Sequence, residues 1–129
     1  IILKYENDNI EKKIKKKTYF NGRKNLITRC INNLLDNSVK YAIKISVNLE
    51  KKDSVILLSI DDDGPGVDKS EFQNITKPFY KIDKSRSDSK SSVGLGLSIS
   101  SDIIKSHGGD IKFDKSKLGG LKVIISLPY

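Results

Sequence analysis

Methionine is absent from this chain, and cysteine and histidine occur once each. A translated chain begins with methionine, so a sequence that starts at Ile1 and never uses that residue reads as a fragment of a larger protein. Long apolar runs are also missing. The longest, Val55 to Leu58, is strand-sized against the ~20 residues a membrane helix needs. No secretory leader is visible, although a fragment's first residue says nothing about the parent's start. The lone cysteine, Cys30, excludes an internal disulfide; inside a helical apolar pattern it reads as a small core residue of a reducing-compartment protein, not a nucleophile. Hydrophobic residues supply only 36% of the chain against 31% charged, which calls for a compact core under a heavily solvated surface. A chain of 129 residues still suffices for one domain, expected to span 1–129.

What the chain has in excess is positive charge, formally +8. A basic surplus raises the question of a nucleic-acid partner, but these residues gather on no single reading element. The run Lys12-Lys13-Ile14-Lys15-Lys16-Lys17 falls in a strand or its approach, where alternate lysines are simply solvated. The group Lys77, Lys81, Lys84, Arg86 and Lys90 falls in a serine-rich connector, where a phosphate ligand explains position as well as charge. No nucleic-acid partner is expected.

Along the chain, Ile1 to Tyr5, a polar Glu6 to Asn9 turn and Ile14 to Phe20 read as a hairpin broken by Asn21-Gly22. A helix follows from about Lys24 to Ala42, with Ile27, Ile31, Leu34, Leu35 and Ala42 at helical spacing. Lys44 to Glu50 alternates as a half-buried strand, and Val55 to Ile60 is a more continuously apolar one. Lys69 to Ile75 reads as a short helix with Asp68 or Ser70 near its cap. Residues 76–93 form a long polar connector of the kind used as a lid or binding loop, expected to be mobile without ligand and ordered with it. Leu95 to Ser106 reads as a second long helix stopped at Gly108-Gly109, and Asp110 to Phe113 and Leu121 to Leu127 as strands joined near Leu118-Gly119-Gly120. Irregular alternation of strands and helices argues for an α+β two-layer sandwich, a mixed sheet packed on about three helices, and against a doubly wound parallel sheet.

Four segments carry chemistry. In the first long helix, Asn33, Asn37, Lys40 and Tyr41 fall within one arc of about 100°, beside the apolar arc and not opposite it. Two Asn at i, i+4 weaken a helix interior; on the residues alone they fit a solvated face as well as a pair of oxygen ligands for Mg²⁺. Asp61-Asp62-Asp63-Gly64-Pro65-Gly66 ends a strand with adjacent acids, which repel. It could be an acidic strand end with a Pro-Gly turn. It also suits a carboxylate that accepts a hydrogen bond from the adenine amine, with Gly64 and Gly66 letting backbone approach the base. Pro78-Phe79-Tyr80-Lys81 opens the connector. Gly94-Leu95-Gly96-Leu97 enters the second helix, whose free N–H groups and positive end favour phosphate.

Together and in this order, the segments resemble the N, G1, F and G2 boxes of the ATP-binding domain of sensor histidine kinases, within the group that includes Hsp90, gyrase B and MutL. The resemblance covers roughly residues 20–128, and the Asp62 and Pro78-Phe79 segments resemble EnvZ-type osmosensors. It implies the Bergerat fold with a mobile ATP lid, and ATP and Mg²⁺ as cofactors. By the same resemblance Asn37 is the Mg²⁺ ligand, with Asn33 and Lys40 near the phosphates and sharing the catalytic role. Tyr41, Asp62, Gly64 and Gly66 surround the base. Phe79, Tyr80, Lys81 and Arg86 belong to the lid, and Gly94, Leu95, Gly96 and Leu97 hold the phosphates. The implied partners are a histidine-bearing dimerisation domain of the same parent and a response-regulator receiver domain. The parent would be a homodimeric membrane sensor with this domain on its cytoplasmic side, the isolated chain a monomer.

Two positions depart from the family pattern: Ser92 stands where a third glycine is usual, and Thr76 where a Phe is usual. They leave room for a nucleotide-binding or docking module without kinase activity. A clamp ATPase of the Hsp90 type is disfavoured because no catalytic Glu precedes Asn33. His107 sits at the far end of the second helix, where a His-Gly-Gly is structural in the family. The acceptor segment, a His followed by an acid on a long hairpin helix, is absent.

Overall fold

The computed structural model describes residues 10–14, 20, 22–77 and 95–128. Five strands form one mixed sheet. They are β1 (Ile10–Ile14), β2 (Ile45–Lys52), β3 (Val55–Asp62), β4 (Asp110–Lys115) and β5 (Leu121–Pro128), in the order β1-β2-β3-β5-β4. Two helices, α1 (Lys24–Tyr41) and α2 (Leu95–Ser106), are present, and a 3₁₀ turn at Lys69–Glu71 is the only other helical piece among the described residues. The α+β architecture expected from the alternation of elements is therefore present. The third helix is reduced to that turn, and Asp68 ahead of it makes no side-chain cap bond.

The core lies between the sheet and the two helices. From α1 come Ile27, Cys30, Leu34 and Leu35, all buried, against Ile45, Val47, Ile56 and Ile60 of the central strands. Removing a side chain such as Leu35, which is 0% exposed, would cost about 2–5 kcal/mol through lost transfer energy and the cavity left behind. From β5, Val123, Ile125 and Leu127 point the same way and meet Ile103 and Ile104 of α2 in the same cluster. β2 and β3 form a hairpin whose turn places Asp53 at φ 56, a left-handed angle that Asp tolerates better than most residues. α2 stops in a Schellman arrangement: Gly109 N–H donates to Ile104 O and Gly108 N–H to Lys105 O, with Gly108 at φ 76.

The N-terminal hairpin needs correction. The strand described here is Ile10–Ile14, and it pairs parallel with β2, Ile10 opposite Ile45; residues 15–19 of the expected Ile14 to Phe20 arm lie outside the described residues. The other expected arm, Ile1 to Tyr5, lies outside the described residues. A parallel partner contributed after an 18-residue helix leaves no turn signature beside the strand, which is why local pattern pointed elsewhere.

Candidate functional site

The two helices set the frame. Arg23 at the start of α1 donates its backbone N–H to His107 Nε2 (3.1 Å) just past the end of α2. Midway, Ser100 Oγ donates to Cys30 O (3.1 Å), and Cys30 Sγ donates to Ser100 O (3.7 Å). Further along, a Cβ built on Gly96 would lie 4.0 Å from Asn33 Cβ. Position rises on α1 as it falls on α2, so the helices run antiparallel and the N-terminal turn of α2 meets the Asn33 side of α1. Small residues make this approach possible: Cys30 and Ser100 are 0% exposed. Only the N-terminal part of the polar arc of α1 meets α2: Cys30 is buried there, and Asn33 and Asn37 are half-buried.

Cys30 is the small core residue expected. Burial pushes its thiol up to about 11, only partly offset by the hydrogen bond to Ser100, so almost no thiolate exists at neutral pH.

At the C-terminal end of α1 the chain turns against the end of β3. Asp63 Oδ1 accepts the backbone N–H groups of Ile43 (2.8 Å) and Lys44 (2.9 Å). These bonds, Lys44 first, hold the Asp63 carboxyl below its ordinary range. Gly64 sits so close that a Cβ there would stand 2.9 Å from Tyr41 O and 3.2 Å from Asp62 Oδ1. The requirement at Gly64 is thus space. At Gly66 it is conformation, because φ is 74, open to glycine and strained for most other residues.

Asp62 is buried at 7% exposure. Its Oδ1 accepts the backbone N–H groups of Gly64 (3.0 Å) and Leu121 (3.0 Å). Among the described residues nothing bonds its other oxygen, Oδ2. Asp61, also buried, accepts from Ser116 Oγ at 2.8 Å. The adjacent acids that look wasteful in sequence are thus divided: Asp61 and Asp63 are spent on structural bonds, and one acceptor oxygen of Asp62 has no donor among the described residues.

Of the sequence-predicted site residues, Asn33, Asn37, Lys40, Tyr41, Asp62, Gly64, Gly66, Gly96 and Leu97 are gathered along the C-terminal half of α1, the β3 corner and the start of α2. Lys40 and Tyr41 are exposed, and Leu97 is half-buried. Leu95 begins α2. Phe79, Tyr80, Lys81, Arg86 and Gly94 lie outside the described residues, as do Ser92 and most of the 76–93 connector. Sequence reasoning missed Ser116 and Gly120 of the β4–β5 turn. The Gly119-Gly120 pair marked the turn but gave no sign of what it touches.

His107 has a structural place. Its Nδ1 donates to Ile103 O (2.8 Å) and its Nε2 accepts from Arg23 N–H. Through these two bonds the ring joins the end of α2 to the start of α1. Phe20 lies beside it with ring centroids 6.0 Å apart.

Known proteins resemble this chain in sequence and in fold. A family model described as histidine kinase-, DNA gyrase B-, and HSP90-like ATPase matches residues 22–129. The sensor histidine kinase GtrS of Pseudomonas aeruginosa is 36% identical over 107 residues, covering 83% of this chain and 22% of that protein. The sensor histidine kinase CpxA of Escherichia coli K12 is 36% identical over 108 residues, covering 83% of this chain and 24% of that protein. The chain thus spans between 22% and 24% of the length of these curated relatives. Among solved structures, the mycobacterial sensor histidine kinase MprB superposes with a TM-score of 0.78 at 26% identity, covering 93% of this chain and 82% of that one. Full-length ShkA in complex with AMPPNP has a TM-score of 0.77 at 20% identity, covering 93% of this chain and 25% of that one, a likeness of fold.

Proposed function

This chain belongs to the histidine kinase-, DNA gyrase B-, and HSP90-like ATPase family, and on that premise we propose that it is the catalytic, ATP-binding domain of a two-component sensor histidine kinase. It would hand the γ-phosphate of ATP to a histidine on a separate dimerisation domain of the same parent, from which a response-regulator receiver domain takes it. The parent, on this reading, is a homodimeric membrane sensor and this domain lies on the cytoplasmic side; no helix among the described residues is long and apolar enough to cross a membrane.

One observation carries the reading: the C-terminal half of α1 touches the Asp62 corner at Tyr41 and the start of α2 at Asn33. From Asn33 to Tyr41 the helix rises about 12 Å, so base and phosphates of one nucleotide can be held at its two ends. Asp62 Oδ2 would accept from the adenine amine, and Gly64 and Gly66 would let the base lie close to backbone. Asn33, Lys40 and the N-terminal turn of α2 would face the phosphates. Asn37 lies one turn beyond Asn33, past the end of α2. Its side-chain carbonyl suits a Mg²⁺ that keeps several waters and is completed by phosphate oxygens. When bound, the ion supplies neutralisation of charge on those oxygens. The chain's own contribution to phosphoryl transfer is then positioning and electrostatics, and the base that assists the attacking histidine belongs to the dimerisation domain.

The test is a titration with a fluorescent ATP analogue, with and without Mg²⁺. Saturable binding that ATP displaces and Mg²⁺ tightens is expected. Absence of binding under both conditions contradicts the reading.

A further inference from the structure

The β4–β5 turn, Ser116 to Gly120, reaches back across the sheet end to the corner that holds Asp62. It closes on itself through Ser116 N–H to Gly120 O (2.8 Å) and Gly119 N–H to Ser116 O (3.0 Å). Its attachments to β3 are separate and point at adjacent residues. Ser116 Oγ donates to Asp61 Oδ1 at 2.8 Å and in turn accepts Leu118 N–H at 3.0 Å. Gly120 N–H donates to Asp62 O at 3.0 Å, and Leu121 N–H donates to Asp62 Oδ1 at 3.0 Å. Ser116, Asp61 and Asp62 are 6%, 5% and 7% exposed, so water competes little for these bonds and each is costly to leave unmade. The fit admits no side chain at Gly120, where a Cβ would collide with Asp62 Oδ1, with Asp62 O (2.6 Å) and with Gly64 N (2.6 Å).

The consequence concerns the direction of one carboxylate. Two backbone N–H groups, one from Gly64 and one from Leu121, hold Oδ1 of Asp62 and so fix the plane and heading of Oδ2. The Leu121 donor is only as well placed as the turn that precedes it, and that turn is fastened by the Ser116–Asp61 bond. We propose that the buried Ser116–Asp61 hydrogen bond is a specificity-determining positioning device: it locks the β4–β5 turn, which locks the Asp62 carboxylate, so that Oδ2 rewards a base bearing an exocyclic amine and penalises one bearing a keto oxygen. Ser116 and Asp61 touch no nucleotide; they act through Leu121 and Asp62. This rests on the ATP-binding reading above and deepens it to base selection.

A loosened carboxylate loses twice. It bonds adenine less well, and it can turn aside from guanine, whose keto oxygen it otherwise repels. The ratio of Kd for GTP to Kd for ATP therefore narrows, whereas a general loss of stability moves both constants together. The experiment measures Kd for ATP and for GTP, each with Mg²⁺, on the chain and on Ser116→Ala, Asp61→Ala, the double variant and Asp61→Asn, with a thermal melt to confirm that each is folded. From a hydrogen bond of ordinary net strength the ratio should narrow by roughly 3- to 10-fold in either alanine variant. The double variant should narrow it no further, because the two side chains make one bond. Asp61→Asn, which keeps an acceptor oxygen for the Ser116 hydroxyl, should retain most of the selectivity.

A ratio in folded Ser116→Ala equal to that of the parent chain overturns the proposal while leaving ATP binding intact. Additive losses in the double variant also overturn it, since they would mean independent packing effects. Failure of the unaltered chain to prefer ATP over GTP is a different result and removes the ATP reading itself, with this inference beneath it.

Discussion

Asp62→Asn is the substitution whose outcome follows most directly from the geometry. Asp62 Oδ1 accepts two backbone N–H groups, from Gly64 and Leu121, each at 3.0 Å. An asparagine can meet both donors only with its carbonyl oxygen in that place; the flipped amide would oppose N–H to N–H twice. The protein therefore dictates the orientation, and the new NH₂ group takes the position of Oδ2. Facing the adenine amine, it sets donor against donor in a buried setting. A lost bond with an unsatisfied buried donor costs about 1–3 kcal/mol, or roughly 5- to 150-fold in ATP affinity at 1.4 kcal/mol per tenfold. The same NH₂ can donate to a keto oxygen, so GTP should lose far less and the preference for ATP should shrink or reverse. The fold itself should survive, because both backbone bonds remain, though with a neutral acceptor and hence weaker. Calorimetric titration with ATP and GTP, beside far-UV circular dichroism, measures each part. A folded Asp62→Asn chain that binds ATP within about twofold of the parent, a difference near 0.4 kcal/mol, would refute the reasoning.

Asn37→Ala should cut phosphoryl transfer by more than about tenfold and leave adenosine binding unchanged, with thermal stability held or raised because Ala is the better helix former; equal loss of adenosine and ATP binding would mark Asn37 as structural. Asp63 has a folded pKa lowered by its bonds to Lys44 and Ile43 N–H, so its contribution to stability is present above the unfolded carboxylate pKa and is lost as pH falls through the lower folded value. Urea melts of Asp63→Asn should accordingly show a shallower acid limb below about pH 4 than the parent, and superimposable limbs would contradict this. His107→Phe keeps a ring but deletes the bonds to Ile103 O and from Arg23 N–H; a loss of about 1–3 kcal/mol is expected, with ATP affinity unaltered once the variant is folded.

Much of the fold was legible because its signals are local. The α2 boundaries were marked by glycines on both sides, and α1 was marked by apolar spacing in spite of its asparagines. Strand β3 was marked by Val55 to Ile60. What the sequence hid was long-range. β1 finds its parallel partner beyond α1, and a period of two says which face is apolar but not which strand lies alongside. The stretch after Asp68 carries helical composition yet settles into one 3₁₀ turn packed through Phe72 on Phe113, ring centroids 6.2 Å apart. At the site, the residue types were readable while their division of labour was not. Nothing near Asp61, Asp62 and Asp63 tells which carboxylate is spent on structure, because the deciding partner, Ser116, stands 55 positions from Asp61. Likewise Cys30 read as core, but the antiparallel meeting of α1 with α2 that sets Asn33 beside α2 depends on Ser100 and Gly96 far along the chain.

On the proposed function, this chain supplies the nucleotide and its orientation, and another domain supplies the histidine. His107 is engaged at both ring nitrogens and lies at the opposite end of α2 from the turn proposed to face the phosphates, about 18 Å away along a 12-residue helix, whereas transfer needs reacting atoms ~3–3.5 Å apart. The most direct measurement incubates the chain with γ-labelled ATP and Mg²⁺, alone and with the parent's histidine-bearing hairpin domain, and follows acid-labile label on each. An unlabelled chain in both samples, with label on the hairpin in the second, is expected. Acid-labile phosphate on His107, or a hairpin left unlabelled by a chain that binds ATP, would contradict it.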